Sequence, residues 1–245
     1  SNLKLSNNKL ILADQNNNLY FFDKEEGNIL KLFPTEDVVL NNIFVNNLSL
    51  SDKTLLFLNT YGSLYSVNTN TMQINWFVNL NQSLNLNPNN LFLANLVINN
   101  DKKIIISSNN STYILDKLSG SILFKKNFSS NINSIINNNY LFLITKNSFL
   151  ISLDLNNGNI IYSYDINQIL AEYLNTNKKK IEIKSMMLVN DKIYIYLKKP
   201  YLIKLNINGK IVSVEKLPST VNSSPMIVDS SILYLNNQNK LIILN

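Results

Sequence analysis

Four of the five glycines in this chain stand at the same place in a repeated phrase. The copies read Asp23-Lys24-Glu25-Glu26-Gly27-Asn28-Ile29, Asp116-Lys117-Leu118-Ser119-Gly120-Ser121-Ile122 and Asp154-Leu155-Asn156-Asn157-Gly158-Asn159-Ile160, with a shorter Asn206-Ile207-Asn208-Gly209-Lys210-Ile211. A fifth copy, Asn68-Thr69-Asn70-Thr71-Met72-Gln73-Ile74, lacks the glycine and keeps the frame. Self-similarity at a step of roughly 40–50 residues belongs to stacked or radial repeat folds, in which one supersecondary unit recurs.

Each phrase sits inside a larger unit of short apolar runs. In the first, Leu10-Ile11-Leu12-Ala13 and Leu19-Tyr20-Phe21-Phe22 flank an asparagine turn, and a third run, Asn28 to Phe33, follows the glycine. Runs of four to six β-branched and aromatic residues bounded by Asn, Asp and Gly are strand-turn-strand signals. The glycine marks a turn that needs φ > 0. The Asp or Asn that opens the phrase can accept bonds from the backbone just ahead of it. The same plan predicts triplets beginning at Thr54, Lys103, Tyr140 and Lys192, and a sixth at Ser231 that stops after two runs. A further apolar segment precedes each triplet: Leu3–Leu5, Val38–Val45, Leu91–Ile98, Ile132–Ile136, Ile181–Leu188 and Val221–Val228. Four short strands per unit predict an all-β fold, a β-propeller of four-stranded antiparallel blades. Five blades and most of a sixth are expected in a single domain spanning 1–245.

Composition narrows the chemistry. The chain has no cysteine and no histidine, which removes disulfides, thiolate nucleophiles, imidazole bases and the common zinc ligand sets. All 22 basic residues are lysine, and asparagine is the commonest polar residue. With isoleucine also abundant, this bias reflects an AT-rich genome rather than a function. The asparagines lie between strands and form no single low-complexity tract. Charge is uneven: residues 1–52 hold four lysines against seven carboxylates, and residues 101–245 hold seventeen against nine. Such polarity can steer a partner or lie on a solvated surface. Without arginine or an interleaved aromatic-basic platform, no nucleic-acid partner is expected. Asparagines interrupt every apolar run, so none reaches the ~20 residues of a membrane span. The chain begins at Ser1 with no visible signal peptide, as a processed chain or one starting inside a longer protein would. The pattern-bearing Asp23, Asp116 and Asp154 each open a turn, which accounts for them without catalysis. The triplets Asn47-Leu48-Ser49 and Asn222-Ser223-Ser224 are expected by chance in so asparagine-rich a chain.

The step between the fourth and fifth phrases is interrupted near 165–176. Ile166, Ile169, Leu170, Tyr173 and Leu174 fall at helical spacing behind Asp165, a suitable N-cap, and Lys178, Lys179 and Lys180 follow. A short helix packing its apolar stripe on the propeller edge is one reading. The other is a partner-docking element, since insertions in repeat folds decorate a binding face. On the second reading Ile169, Leu170, Tyr173, Leu174, Lys178, Lys179 and Lys180 are the candidate partner-binding residues.

The phrase resembles the PQQ-like propeller repeat. Leu19-Tyr20-Phe21-Phe22-Asp23 and Gly62-Ser63-Leu64-Tyr65-Ser66-Val67-Asn68 match its middle, and Trp76, Phe124 and Tyr162 occupy its tryptophan position, with Lys31 and Ser213 in the other two copies. Asn222-Ser223-Ser224-Pro225-Met226-Ile227-Val228 resembles a blade opening. Quinoprotein dehydrogenases of this class bind PQQ and calcium through a cysteine pair, arginine and stacked tryptophan, a set this chain lacks, so no cofactor is expected. The other branch is non-catalytic and includes the BamB family, propeller lipoproteins of the outer-membrane β-barrel assembly machinery. That resemblance implies a scaffold on the periplasmic face of the outer membrane that docks on the barrel-inserting subunit. It also implies a lipid anchor on a cysteine that these 245 residues do not contain. The family's ring looks eight-bladed and needs about 350 residues at the step seen here. The expectation is part of a seven- or eight-bladed ring, against a ring closing with six. Alternative functions are a propeller binding module for carbohydrate or another protein, soluble in periplasm or cytosol. An enzyme comes last, whether of the quinoprotein type or working through carboxylates alone.

Overall fold

The computed structural model describes residues 3–36, 46–81, 91–108, 110–130 and 132–244. Among these residues are six antiparallel meanders, which fall into two compact units, 1–129 and 130–245. In the first unit, β1 (Lys4–Ser6), β2 (Lys9–Ala13), β3 (Leu19–Asp23) and β4 (Ile29–Phe33) form one sheet in chain order. The next holds β5 (Asn47–Ser51), β6 (Thr54–Leu58), β7 (Ser63–Asn68) and β8 (Gln73–Asn79). The third holds β9 (Ile98–Asn99), β10 (Lys103–Ser108), β11 (Ser111–Asp116) and β12 (Ile122–Lys126). The second unit repeats the plan with β13 (Ile135–Asn137), β14 (Tyr140–Ile144), β15 (Phe149–Asp154) and β16 (Ile160–Asp165). After α1 (Ile166–Tyr173) come β17 (Ile183–Val189), β18 (Lys192–Leu197), β19 (Tyr201–Asn206) and β20 (Ile211–Lys216). A three-stranded sheet of β21 (Met226–Val228), β22 (Ser231–Leu235) and β23 (Leu241–Leu244) follows.

The turns explain the asparagine content. Among the described residues twelve non-glycine positions have positive φ, and nine of them are Asn or Asp, the side chains that tolerate the left-handed region best. The phrase itself forms the turn between the third and fourth strands. Asp23 Oδ1 accepts from the N–H groups of Glu25 and Glu26, and Asp116 Oδ1 from those of Leu118 and Ser119. Asn68 does the same for Asn70 and Thr71 in the copy where Met72 replaces glycine. Beside each phrase the register shifts at one place, between Phe21 and Phe22, Ser66 and Val67, Ile114 and Leu115, Ser152 and Leu153, and Lys204 and Leu205. A bulge bends its strand and re-aims side chains. Here it sets Trp76 opposite Ser66 and Tyr162 opposite Ser152, so a large ring lies across from a small residue.

Both faces of the middle strands are covered, which is why they read as unbroken apolar runs. Along β6, Leu55 and Phe57 pack with Ile11, Leu19 and Phe21 of the first sheet, whereas Leu56 and Leu58 pack with Ile104, Ile106 and Leu115 of the third. Period-two alternation therefore serves two cores at once. In β18 the split recurs: Ile193, Ile195 and Leu197 join the core that receives α1, and Tyr196 joins Leu202 and Tyr234 in the next. Each such side chain contributes about 1.5–3 kcal/mol on burial.

Second to fourth strands fall within a residue or two of the expected runs. Of the first strands, β1 and β17 also fall within two residues of their runs, β13 and β21 keep only the ends of theirs, and the second and third sheets depart. The run 38–45 lies outside the described residues, and the first strand of the second sheet is Asn47–Ser51. Of the run 91–98 only Ile98 is in a strand, the two-residue β9. Isolated backbone bonds remain there, Phe92 N–H to the Thr60 carbonyl at 2.8 Å and Asn95 N–H to that of Ser107 at 2.9 Å. Side chains add to them: Asn47 Nδ2 donates to the carbonyls of Ala94 and Asn95 at 3.3 and 3.0 Å, and Ser108 Oγ to that of Leu93 at 2.7 Å. With the backbone held this way, the apolar residues around it need no ladder.

Candidate functional site

The insertion folds as its spacing predicts. Asp165 caps α1, its side chain accepting from the N–H groups of Asn167 and Gln168. Burial pushes the Asp165 carboxyl up, but the Lys178 ammonium and those N–H groups outweigh it and hold the group below its usual value. The predicted residues then separate. Ile169 and Leu170 are buried in the core shared with Phe142, Ile181 and Ile195, so the helix spends them on packing. Tyr173 and Leu174 stay exposed, as do Lys179 and Lys180, while Lys178 is ion-paired to Asp165.

What α1 positions is the chain that leaves it. Asn167 Oδ1 accepts from the N–H of Ile181 at 2.8 Å, and Ser148 Oγ donates to the Ile181 carbonyl at 3.4 Å. Pinned at Ile181, the segment 180–184 forms one wall of a cleft of about 690 Å³. Ile132, Ile144, Ile181 and Ile183 give it aliphatic surface, Thr145 and Ser148 hydroxyls, and Lys146, Lys180 and Lys184 positive charge. Glu182, the carboxylate among its lining residues, is engaged by Lys198 at 2.7 Å. A smaller cleft of about 310 Å³ adjoins along β17 and shares Ile132 and Lys184, with Ser185, Met187, Ser224 and Pro225 among its walls. Sequence reasoning found Lys180 and missed Lys146 and Lys184, because the three come from different parts of two repeats and only packing brings them together.

A second polar cluster lies in the first unit. The Glu36 carboxylate accepts from Ser63 Oγ, from Asn59 Nδ2 at 2.6 Å and from Tyr65 OH at 3.0 Å. Burial pushes Glu36 up, yet these donors hold it below its ordinary value. Burial first, and then the Glu36 charge, push Tyr65 up to about 12. Nearby, buried Asn17 accepts from the N–H and hydroxyl of Thr60 and donates to the Glu36 carbonyl. Three donors on one carboxylate lock an ionised group in place and tie together the turns of two sheets. Trp76 is likewise structural: its Nε1 donates to the Lys117 carbonyl at 3.2 Å and its ring lies against Gly120. Among the described residues no group of three or more Asp or Glu side chains is placed to hold a cation.

Against solved structures the chain superposes over nearly its full length. BamB from Moraxella catarrhalis matches with a TM-score of 0.73 at 12% identity, over 98% of this chain and 70% of that one. The fold is that of a β-propeller. The computationally designed Ika8 protein matches with a TM-score of 0.62 at 10% identity, over 99% of this chain and 82% of its own. The β-propeller domain of Myceliophteria thermophila Cps50 (Swd1) matches with a TM-score of 0.59 at 10% identity, over 99% and 84%. No protein-family model and no curated protein matches the sequence. At these identities the likeness shows fold alone.

Proposed function

We propose that this chain is a non-catalytic protein-interaction scaffold of the BamB kind, working at the periplasmic face of the outer membrane and docking on the barrel-inserting subunit. One observation carries the reading. The helix that interrupts the repeat holds the 178–184 segment along a cleft of mixed aliphatic and basic character, and such a surface is suited to a polypeptide partner. The likeness to BamB supports the same reading, as does the PQQ-like form of the phrase. The half-buried Glu36 carboxylate is engaged by three donors and fits anchoring better than proton transfer.

The test is affinity capture of the tagged full-length gene product from solubilised membranes, with mass spectrometry of what accompanies it. Recovery of the barrel-inserting subunit is the expected result. A membrane pool without that subunit, or a wholly soluble protein, would remove the BamB assignment and leave a propeller binding module for another ligand.

A further inference from the structure

We infer that the two adjoining clefts beside β17 bind an extended acidic segment of a protein partner, one in which carboxylates alternate with aliphatic side chains. The inference rests on the scaffold reading and names the chemistry of the partner. Its starting point is Lys184. The β17–β18 ladder pairs Ile183 with Leu197 and Ser185 with Tyr196, so Lys184 is the extra residue of a bulge. The bulges of the other sheets lie between third and fourth strands beside the repeated phrase, whereas this one lies between first and second. A bulge away from the repeat's own plan re-aims a side chain, and Lys184 lines both clefts.

A second, independent observation is Ser185. The residue lines the smaller cleft, and its Oγ is turned inward, buried and without a hydrogen-bond partner. A buried hydroxyl left unsatisfied costs about 1–3 kcal/mol, and a χ1 rotation that turns it into the cleft to meet a ligand group relieves that cost. Charge then selects the ligand. Lys146 and Lys180 join Lys184 around the larger cleft, and Glu182 is already matched by Lys198. The isoleucines between them add apolar surface that a hydrated anion alone would leave unused. The lining holds no arginine fork for phosphate and no aromatic platform for a base. A strand-like peptide meets both demands, because its side chains alternate faces at each residue.

The experiment measures fluorescence anisotropy of a short fluorescein-labelled peptide alternating glutamate and leucine, titrated with the full chain at low and high salt. Saturable binding that weakens with salt is expected, together with a loss of about tenfold or more in the Lys180→Glu/Lys184→Glu double variant. Ser185→Ala leaves the fold intact and lowers affinity several-fold. Equal binding of the lysine-leucine counterpart, or no effect of the charge reversal in a variant whose thermal melt is unchanged, would overturn the proposal. So would binding to phosphatidylglycerol vesicles but not to the peptide. Affinity capture repeated with the double variant separates the two readings. If the partner is recovered while the peptide fails, the acidic-segment inference falls and the scaffold reading stands. If the peptide binds and wild type recovers no partner, the scaffold reading falls alone.

Discussion

At Gly120 a single hydrogen atom is the only side chain the packing accepts. A Cβ there would lie 2.4 Å from the Trp76 ring, and φ is +73°, where a side chain is strained in any case. Gly209 repeats the arrangement, with a Cβ 2.4 Å from Tyr164 and 3.1 Å from Tyr162, while the Tyr162 hydroxyl donates to the Ile207 carbonyl at 2.9 Å. Trp76 and Tyr162 thus do one job in two places: each seats a ring on the phrase of the next sheet. Gly120→Ala is expected to destabilise by about 2–4 kcal/mol, from φ strain and overpacking together, measured by urea unfolding. Tyr196 predicts the opposite sign. Its ring is fully buried and its hydroxyl has no partner, and burial pushes that hydroxyl far above its usual pKa. Tyr196→Phe removes an unsatisfied group and keeps the ring, so stability is expected to rise by about 1 kcal/mol in the same assay.

For single elements, α1 shows what local sequence can and cannot say. Its position and N-cap were legible from the spacing of Ile166, Ile169, Leu170 and Tyr173 behind Asp165, because capping and a 3.6-residue period are local properties. Its role was not legible. Burial of Ile169 and Leu170 depends on Phe142, Leu150 and Ile195, which lie one or two strands away. Asp165→Ala is expected to cost about 1–2 kcal/mol, since it removes both the cap and the Lys178 ion pair. Asp165→Asn keeps the cap and is expected to recover most of that loss by the same measurement. The first strands of the second and third sheets departed from expectation for a related reason. The two-residue β9 is too short to show alternation, and in β5 (Asn-Leu-Ser-Leu-Ser) polar residues interrupt the apolar run, Asn47 bonding the carbonyls of Ala94 and Asn95.

At the scale of the whole molecule, acid is expected to loosen the structure through carboxylates that fold into donor-rich sites. Glu36 and Asp14 are both held below their ordinary values of 4.5 and 3.8, although burial alone would raise them. Asp14 is held by its neighbours in the turn, accepting from Asn16 N–H, from the backbone and side chain of Asn18, and from Tyr20 OH. With folded values depressed, the unfolded chain binds more protons at low pH. Their contribution is therefore complete above the unfolded values and is lost as pH falls through the lower folded ones. Thermal melts are expected to hold between pH 7 and about pH 5 and to drop below pH 4. Glu36→Gln is expected to lower stability at pH 7 and to flatten that drop, and an unchanged acid limb in this variant would assign acid sensitivity elsewhere.

The sequence by itself determined the repeat: where its turns fall, which Asp, Asn or Gly opens and closes them, the second to fourth strands of each blade, and the helix that interrupts the plan. All of these are set within a few residues along the chain, by φ preference, side-chain capping and hydrophobic period. Only the tertiary structure decided the first strands of the second and third sheets, the two-sided division of β6 and β18 between neighbouring cores, and the clefts along β17. Lys146, Lys180 and Lys184 meet there because sheets pack face to face and a bulge turns one residue out of register. Such meetings depend on which sheets become neighbours, and no local pattern carries that information.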